Sequence, residues 1–345
     1  MDNLCASDDY LSKYAKKKVS VVIPCYRVKT NVLSVIEAID SEIYRIYVVD
    51  DCCPEGCGDF VELNFHTERI IVLRNKKNLG VGGAVLSGYK AAIIDGADVI
   101  IKIDGDGQMD PVLIPLFVNP ILKGMADYTK GNRFYDLTNI RNMPFIRLVG
   151  NAILSFLTKI SSGYWSIFDP TNGFTAIHAK VAAHLPMDKI SNRYFFETDM
   201  LFRLNTLRAV VLDIPMEANY GNEISSIKIS KIPFEFLYKH ARNFAKRIFY
   251  NYFLRDMTLA SIELIVGLIM LTFGIIFGGI KWYAAYKSNT PAPLGTIMLA
   301  ALPVLLGIQF LLAFLGFDIA NVPKRPIHND LPDIMVKQKV IKNES

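Results

Sequence analysis

The sequence predicts an α/β domain built on a mainly parallel sheet, followed by basic amphipathic helices and two transmembrane helices. Three observations carry this. From Val19 onward, short β-branched runs alternate with helix-like stretches; two long apolar runs near the C-terminus hold one charged residue between them; and a block of positive charge directly precedes the first run.

VSVVI (19–23), IYVVD (46–50), RIIVL (69–73) and DVIIKID (98–104) read as strands, with NVLSVIEAI and VGGAVLSGYKAAI as helices between them. Such alternation implies βαβ units and parallel pairing. Beyond residue 110, ADYTKGNRF and GFTAIHA (173–179) read as strands, residues 143–160 and 196–207 as helices, and AVVLDIPM closes this part. The predicted division is an N-terminal tail (1–17), the α/β domain (18–230), basic juxtamembrane helices (231–256), spans at 257–280 and 292–317, and a tail (318–345). Runs of 24 and 27 residues (257–280 and 291–317) reach about 36 and 40 Å as helices, enough for a hydrocarbon core of about 30 Å. The acid in the first run, Glu263, leaves two readings open: a helix–helix contact in a homo-oligomer, or a later start of the span.

Of 345 residues, 51% are apolar and 21% charged, which excludes a disordered or fibrous chain. The net charge is +5, yet residues 228–255 alone carry seven bases and one acid. A generally basic nucleic-acid binder is therefore disfavoured. Bases flanking the two runs, and an N-terminus without an apolar signal segment, place the large polar domain and both termini in the cytoplasm by the positive-inside rule. Aromatic and basic residues interleaved over 233–254 suit a helix lying against anionic lipid. Five cysteines, an odd number, argue against a disulfide framework. Cys52, Cys53 and Cys57 lack a fourth ligand at zinc-finger spacing.

The densest chemistry lies in KIDGDGQMDP (102–111). Asp104 and Asp106 follow an apolar strand, and glycines at 105 and 107 free the backbone to turn both carboxylates to one point. Two hard oxygen ligands suit Mg²⁺ or Mn²⁺ carried with a diphosphate, and Gln108 offers a further oxygen. Asp50 and Asp51 stand at another strand end, where open α/β sheets bind ligands. The NLGVGGA run is not a dinucleotide fingerprint, because Val85 stands where GxGxxG needs its third glycine. Its glycines are expected to allow close backbone approach, to a ligand or to the sheet.

In order along the chain, SVVIPCYR (20–27), VVDDCCPEG (48–56), NLGVGGA, DGDGQ, KGNRF (130–134), FDPTNGF (168–174), FETDM (196–200) and YGNEISS (220–226) resemble glycosyltransferase family 2. With the C-terminal spans, the chain is similar to the polyprenyl-phosphate branch, that of dolichyl-phosphate mannose synthases and bactoprenol glucosyltransferases. The resemblance implies a GT-A type fold and inverting, metal-dependent transfer of a hexose from a nucleotide-diphosphate sugar to polyprenyl (undecaprenyl) phosphate at the plasma membrane. It places the donor on Pro24, Tyr26, Asp50, Asp51, Gly80 and Asp104, and the metal on Asp104, Asp106 and Gln108. Arg133 and Arg147 would grip the lipid phosphate. Asp169 would be base or positioning group, with Asp106 also catalytic and Glu197 and Asp199 as second choices. UDP-glucose is the expected donor; UDP-galactose, UDP-N-acetylhexosamines and GDP-mannose stay open, as do a transferase extending a lipid-linked saccharide and a non-catalytic membrane scaffold. The QxxRW motif of processive synthases is absent.

Overall fold

The computed structural model describes residues 17–135, 145–217 and 232–332, without the side chains of 145–147, 232 and 233. Two compact units emerge: residues 1–243 together with 323–345, and residues 244–322.

The first unit begins with strand β1 (Val19–Cys25), helix α1 (Val32–Glu37), β2 (Arg45–Asp50), α2 (Cys57–Asn64), β3 (Ile70–Arg74), α3 (Val81–Ile94) and β4 (Val99–Lys102). It continues through α4 (Ile114–Leu122), β5 (Tyr128–Asn132), α5 (Phe145–Ser162), β6 (Thr175–His178), α6 (Ala179–His184), α7 (Phe196–Leu207) and β7 (Val211–Pro215), and ends within α8 (Ile232–Phe249), at residue 243. The seven strands form one sheet in the order β3-β2-β1-β4-β6-β5-β7. Every pair is parallel except β4–β6 and β5–β6.

Alternation along β1 explains the layering, because successive side chains point to opposite faces. Val19, Val21 and Ile23 pack with Val35, Val61 and Phe117, so α1, α2 and α4 cover one face. On the other, Gly88 of α3 lies so close to Val22 that a Cβ would come within 2.4 Å of it. Three helices went unpredicted, α2, α4 and α6; each is short, and α4 carries Pro120 in its interior.

β6 is the element that the expectation of a mainly parallel sheet did not specify. Its register pairs Thr175 with Lys102, so it starts where β4 ends. An antiparallel strand brings the segment before it to the carboxyl edge of its parallel neighbours. That segment is FDPTNGF. Residues 323–332 also belong to this unit: the backbone N–H groups of Ile327 and His328 donate to the buried Asp127 carboxylate, and the His328 ring stacks on His178.

In the second unit, a π-helical turn (Tyr250–Arg255) precedes α9 (Leu259–Ser288) and α10 (Leu294–Ala320). Both helices are longer than the predicted spans; α9 absorbs most of the expected loop. Each has a mean hydropathy of 2.4 over its most apolar window, and only 22% and 11% of those windows are buried. A core helix of a soluble domain would be covered; these are long and apolar enough to cross a membrane. They pack antiparallel through small residues, with Gly267 beside Leu311, Gly274 beside Ala300 and Val304, and Gly307 beside Leu271. Glu263 sits one turn inside α9, half-buried.

The expectation of a basic segment facing lipid needs one correction. Arg247 is 1% exposed and forms a two-pronged ion pair with Asp318 (2.5 and 3.0 Å), to which the Tyr252 hydroxyl also donates. A charge removed from water needs such partners. Asp318, expected to open a tail, lies within α10.

Candidate active site

At the carboxyl edge of β1, β2 and β4 lies a cleft of about 690 Å³. Its walls include Pro24, Tyr26, Asp51, Gly80, Asp104 and Asp106, six of the residues expected there, and also Asn78, Arg193 and Tyr194. Sequence reasoning missed Arg193 and Tyr194, because the NRY loop that carries them has no strand-end or glycine signature.

The acidic pair after β2 divides its work. Asp50 does not line the cleft; its oxygens accept from the backbone N–H groups of Cys53 and Gly58, both at 2.7 Å. Asp51 does line it, and accepts from Asn75 Nδ2, Leu79 N and Gly80 N at 2.7–2.9 Å. Asp51 thereby fixes the turn into α3. Gly80, at φ +88°, stands where a Cβ would come within 2.7 Å of the Asn192 carbonyl; one on Gly82 would meet Ser191 O and Phe196. The glycines thus admit the 191–193 backbone, which carries Arg193 over the cleft. That loop is held from below by Asp199, which accepts from Ser191 N and Asn243 Nδ2 at 2.9 Å. Asp199 is fully buried and not part of the cleft wall.

Asp104 and Asp106 both face the cleft. Gln108 meets Asp106 through its backbone N–H (3.0 Å), and its side chain is not part of the cleft wall. Asp104 Oδ1 lies 3.0 Å from the ammonium of Lys102, which also donates to Glu197 Oε1 at 3.2 Å. Burial acts to lower the Lys102 pKa, but the two carboxylates outweigh it and hold the group protonated above its ordinary value. Asp104 Oδ2 and Lys102 Nζ both crowd Gly173, where a Cβ would stand 2.4 Å from each. The NGF of FDPTNGF therefore needs glycine for close approach. Glu197, a second choice for the base, pairs with Lys102.

The same segment reaches the other expected cluster. Arg133, just past β5, donates through Nε and Nη2 to the two oxygens of Asp169 at 2.7 and 3.1 Å, and Asp169 is fully buried. Residues 168–174 thus run from the Arg133 clamp to Asp104. Two neighbours were not foreseen. Lys130 is buried, and burial, partly offset by Glu197 and Asp169, brings its pKa down to about 8. Asp213 is pushed up to about 6 by burial; Oδ2 accepts from Phe168 N at 2.9 Å, while Oδ1 is buried without a partner among the described residues. The Arg147 side chain and YGNEISS lie outside the described residues.

Cys53 and Cys57 approach to 3.1 Å between sulfurs, with the Glu55 carboxylate within 4.8 Å of both. Cys52, grouped with them from the sequence, is exposed.

Residues 20–185 match the family model described as Glycosyl transferase family 2. Over that stretch the chain resembles the family, and it is a glycosyltransferase. Its relatives include the UDP-N-acetylglucosamine–dolichyl-phosphate N-acetylglucosaminyltransferase of Methanococcus voltae, 27% identical over 220 residues, covering 60% of this chain and 87% of that one. The undecaprenyl-phosphate mannosyltransferase of Micrococcus luteus is 28% identical over 173 residues, covering 50% and 70%. Among solved structures, glucosyl-3-phosphoglycerate synthase from Mycobacterium tuberculosis aligns with a TM-score of 0.49 at 17% identity, covering 72% and 83%.

Proposed function

We propose that this enzyme transfers a hexose from a nucleotide-diphosphate sugar to a polyprenyl phosphate at a membrane, with inversion at the anomeric carbon. The observation that carries this reading is the pairing, in one chain, of a two-carboxylate cleft with an antiparallel pair of exposed apolar helices. The relatives named for dolichyl-phosphate and undecaprenyl-phosphate acceptors support it. They act with N-acetylglucosamine and mannose, so UDP-glucose, the first donor to test, stands beside UDP-N-acetylglucosamine and GDP-mannose.

Asp104 and Asp106 would hold Mg²⁺ or Mn²⁺: two hard oxygen donors facing one cleft fit such an ion, and the absence of a side chain at Gly173 leaves Asp104 its place. When bound, the ion supplies charge neutralisation for the departing nucleoside diphosphate. Arg193, on the cleft wall, is suited to the same phosphates, and Tyr26 to the base or ribose. A phosphate monoester carries roughly −1.5 to −2 charges at pH 7 and is already a nucleophile, so it needs little help from a base. Both Asp169 oxygens are taken by Arg133. We therefore assign Asp169 as the group that fixes the Arg133 guanidinium plane, and Arg133 as the donor to the acceptor phosphate, bidentate recognition being what a fixed guanidinium does well.

Topology supports the membrane reading. Because α9 and α10 are antiparallel, both of their connections to the catalytic unit leave from the same end of the pair. A hairpin across the bilayer would keep that unit on one side, the cytoplasmic one by charge.

Purified enzyme with Mn²⁺, undecaprenyl phosphate and the three donors should yield a single-sugar, acid-labile lipid product. Asp104→Asn and Asp106→Asn should each lower turnover by at least about a hundredfold. No product with any donor would refute the reading, and products longer than one sugar would favour saccharide extension.

A further inference from the structure

A lysine ammonium against a cation-binding carboxylate is an odd neighbour, since it repels the ion that the carboxylate is there to attract. Lys102 is nevertheless built in with care. It lies at the end of β4, is 1% exposed, and stands 3.0 Å from Asp104 Oδ1 and 3.2 Å from Glu197 Oε1. Burying a charge costs several kcal/mol unless it is paired, and here two carboxylates on separate elements are committed to it. Gly173 leaves space for the arrangement, because a Cβ there would strike both Asp104 Oδ2 and Lys102 Nζ. The triad leaves one net negative charge where Asp104 and Glu197 alone would leave two.

We propose that Lys102 is a positioning residue that ties cation binding to nucleotide binding: clamped by Glu197, it holds one oxygen of Asp104 and offsets its charge, so that Asp104 and Asp106 take a divalent cation well only together with a diphosphate. This rests on the reading of Asp104 and Asp106 as the cation site. The diphosphate supplies the missing negative charge and oxygen ligands, so the cation enters with the donor and leaves with the product. Glu197 works in the opposite sense from Lys102, because removing it leaves the positive charge less compensated beside the cation.

The test is Mn²⁺ binding to the full-length protein in detergent, read from the electron paramagnetic resonance signal of free Mn²⁺, without nucleotide and with UDP or GDP. Lys102→Met should tighten Mn²⁺ binding without nucleotide by about tenfold, the scale expected from deleting one charge a few Å from a divalent ion near water, and should reduce the gain from nucleotide. Glu197→Gln should weaken it by a similar factor, and the double variant should lie near wild type. A residue needed only for packing would shift both single variants the same way, and that outcome, or no shift in either, overturns the proposal. Should Lys102→Met fail to fold, Glu197→Gln and the double variant decide: weaker binding in the first and near-wild-type binding in the second support it, and any other pair of results overturns it. Asp106→Asn separates the two layers. If it binds Mn²⁺ with nucleotide as well as wild type does, the cation reading itself fails; if it loses binding while the Lys102 and Glu197 variants shift alike, only the present inference fails.

Discussion

Lys130 shows what a single buried residue contributes. It lies between the two clusters of the site, donates to the Asn172 carbonyl, and has a pKa of about 8 against an ordinary 10.5. Its folded form thus resists protonation more than its unfolded form does. Below pH 8 the fold bears the cost of a buried ammonium; between pH 8 and 10.5 the unfolded chain binds more protons, so stability rises with pH. The full difference is about 3 kcal/mol at roughly 1.4 kcal/mol per unit. In chemical denaturation across that interval, Lys130→Met should lack this rise relative to wild type, and equal slopes would contradict the argument. Lys102, with nearly the same burial, moves the opposite way because two carboxylates touch it. The difference lies in partners, of which the KID tripeptide displays only Asp104 and the KGN tripeptide none.

At the scale of elements, the reversed strand β6 decides the site. It brings FDPTNGF to the edge where β1, β2 and β4 end, and lets a single loop touch both Asp104 and Arg133. The chain's signals for strands were sound, but direction depends on sheet order, which local pattern does not encode. The α9–α10 pair rests on small residues in the same way. A side chain at Gly274 would come within 2.6 Å of Val304, whereas one at Gly279 would meet nothing within 4 Å. Gly274→Leu should therefore destabilise the pair by about 1–3 kcal/mol, lowering the thermal midpoint in detergent, while Gly279→Leu should leave it unchanged. Equal effects would mean that the observed seam is not what holds the helices together.

For the whole molecule, the decisive feature is that the chain leaves the catalytic unit at residue 243 and returns to it at 323. The returning segment is fastened by Asp127, through the Ile327 and His328 N–H groups and the His328 ring. A hairpin that crosses the bilayer must then expose only its tip, near residues 289–293, on the far side. In intact cells, Thr290→Cys should react with a membrane-impermeant maleimide, and Lys324→Cys only after permeabilisation. Labelling of both, or of neither, in intact cells would rule out this topology.

By itself the sequence determined the α/β alternation, the two apolar helices and the carboxylates at strand ends, because each is written in local periodicity or adjacency. It also held the order of motifs that marks the family. Only tertiary structure decided what those residues touch. Asp50 and Asp199 accept from backbone N–H groups, Glu197 pairs with Lys102, Asp169 pairs with Arg133, and Arg247 is buried against Asp318 rather than facing lipid. The reason is physical: a carboxylate's role depends on which donors reach it, and those donors come from residues up to about a hundred positions away, brought near by strand order and by a loop that glycines allow to approach.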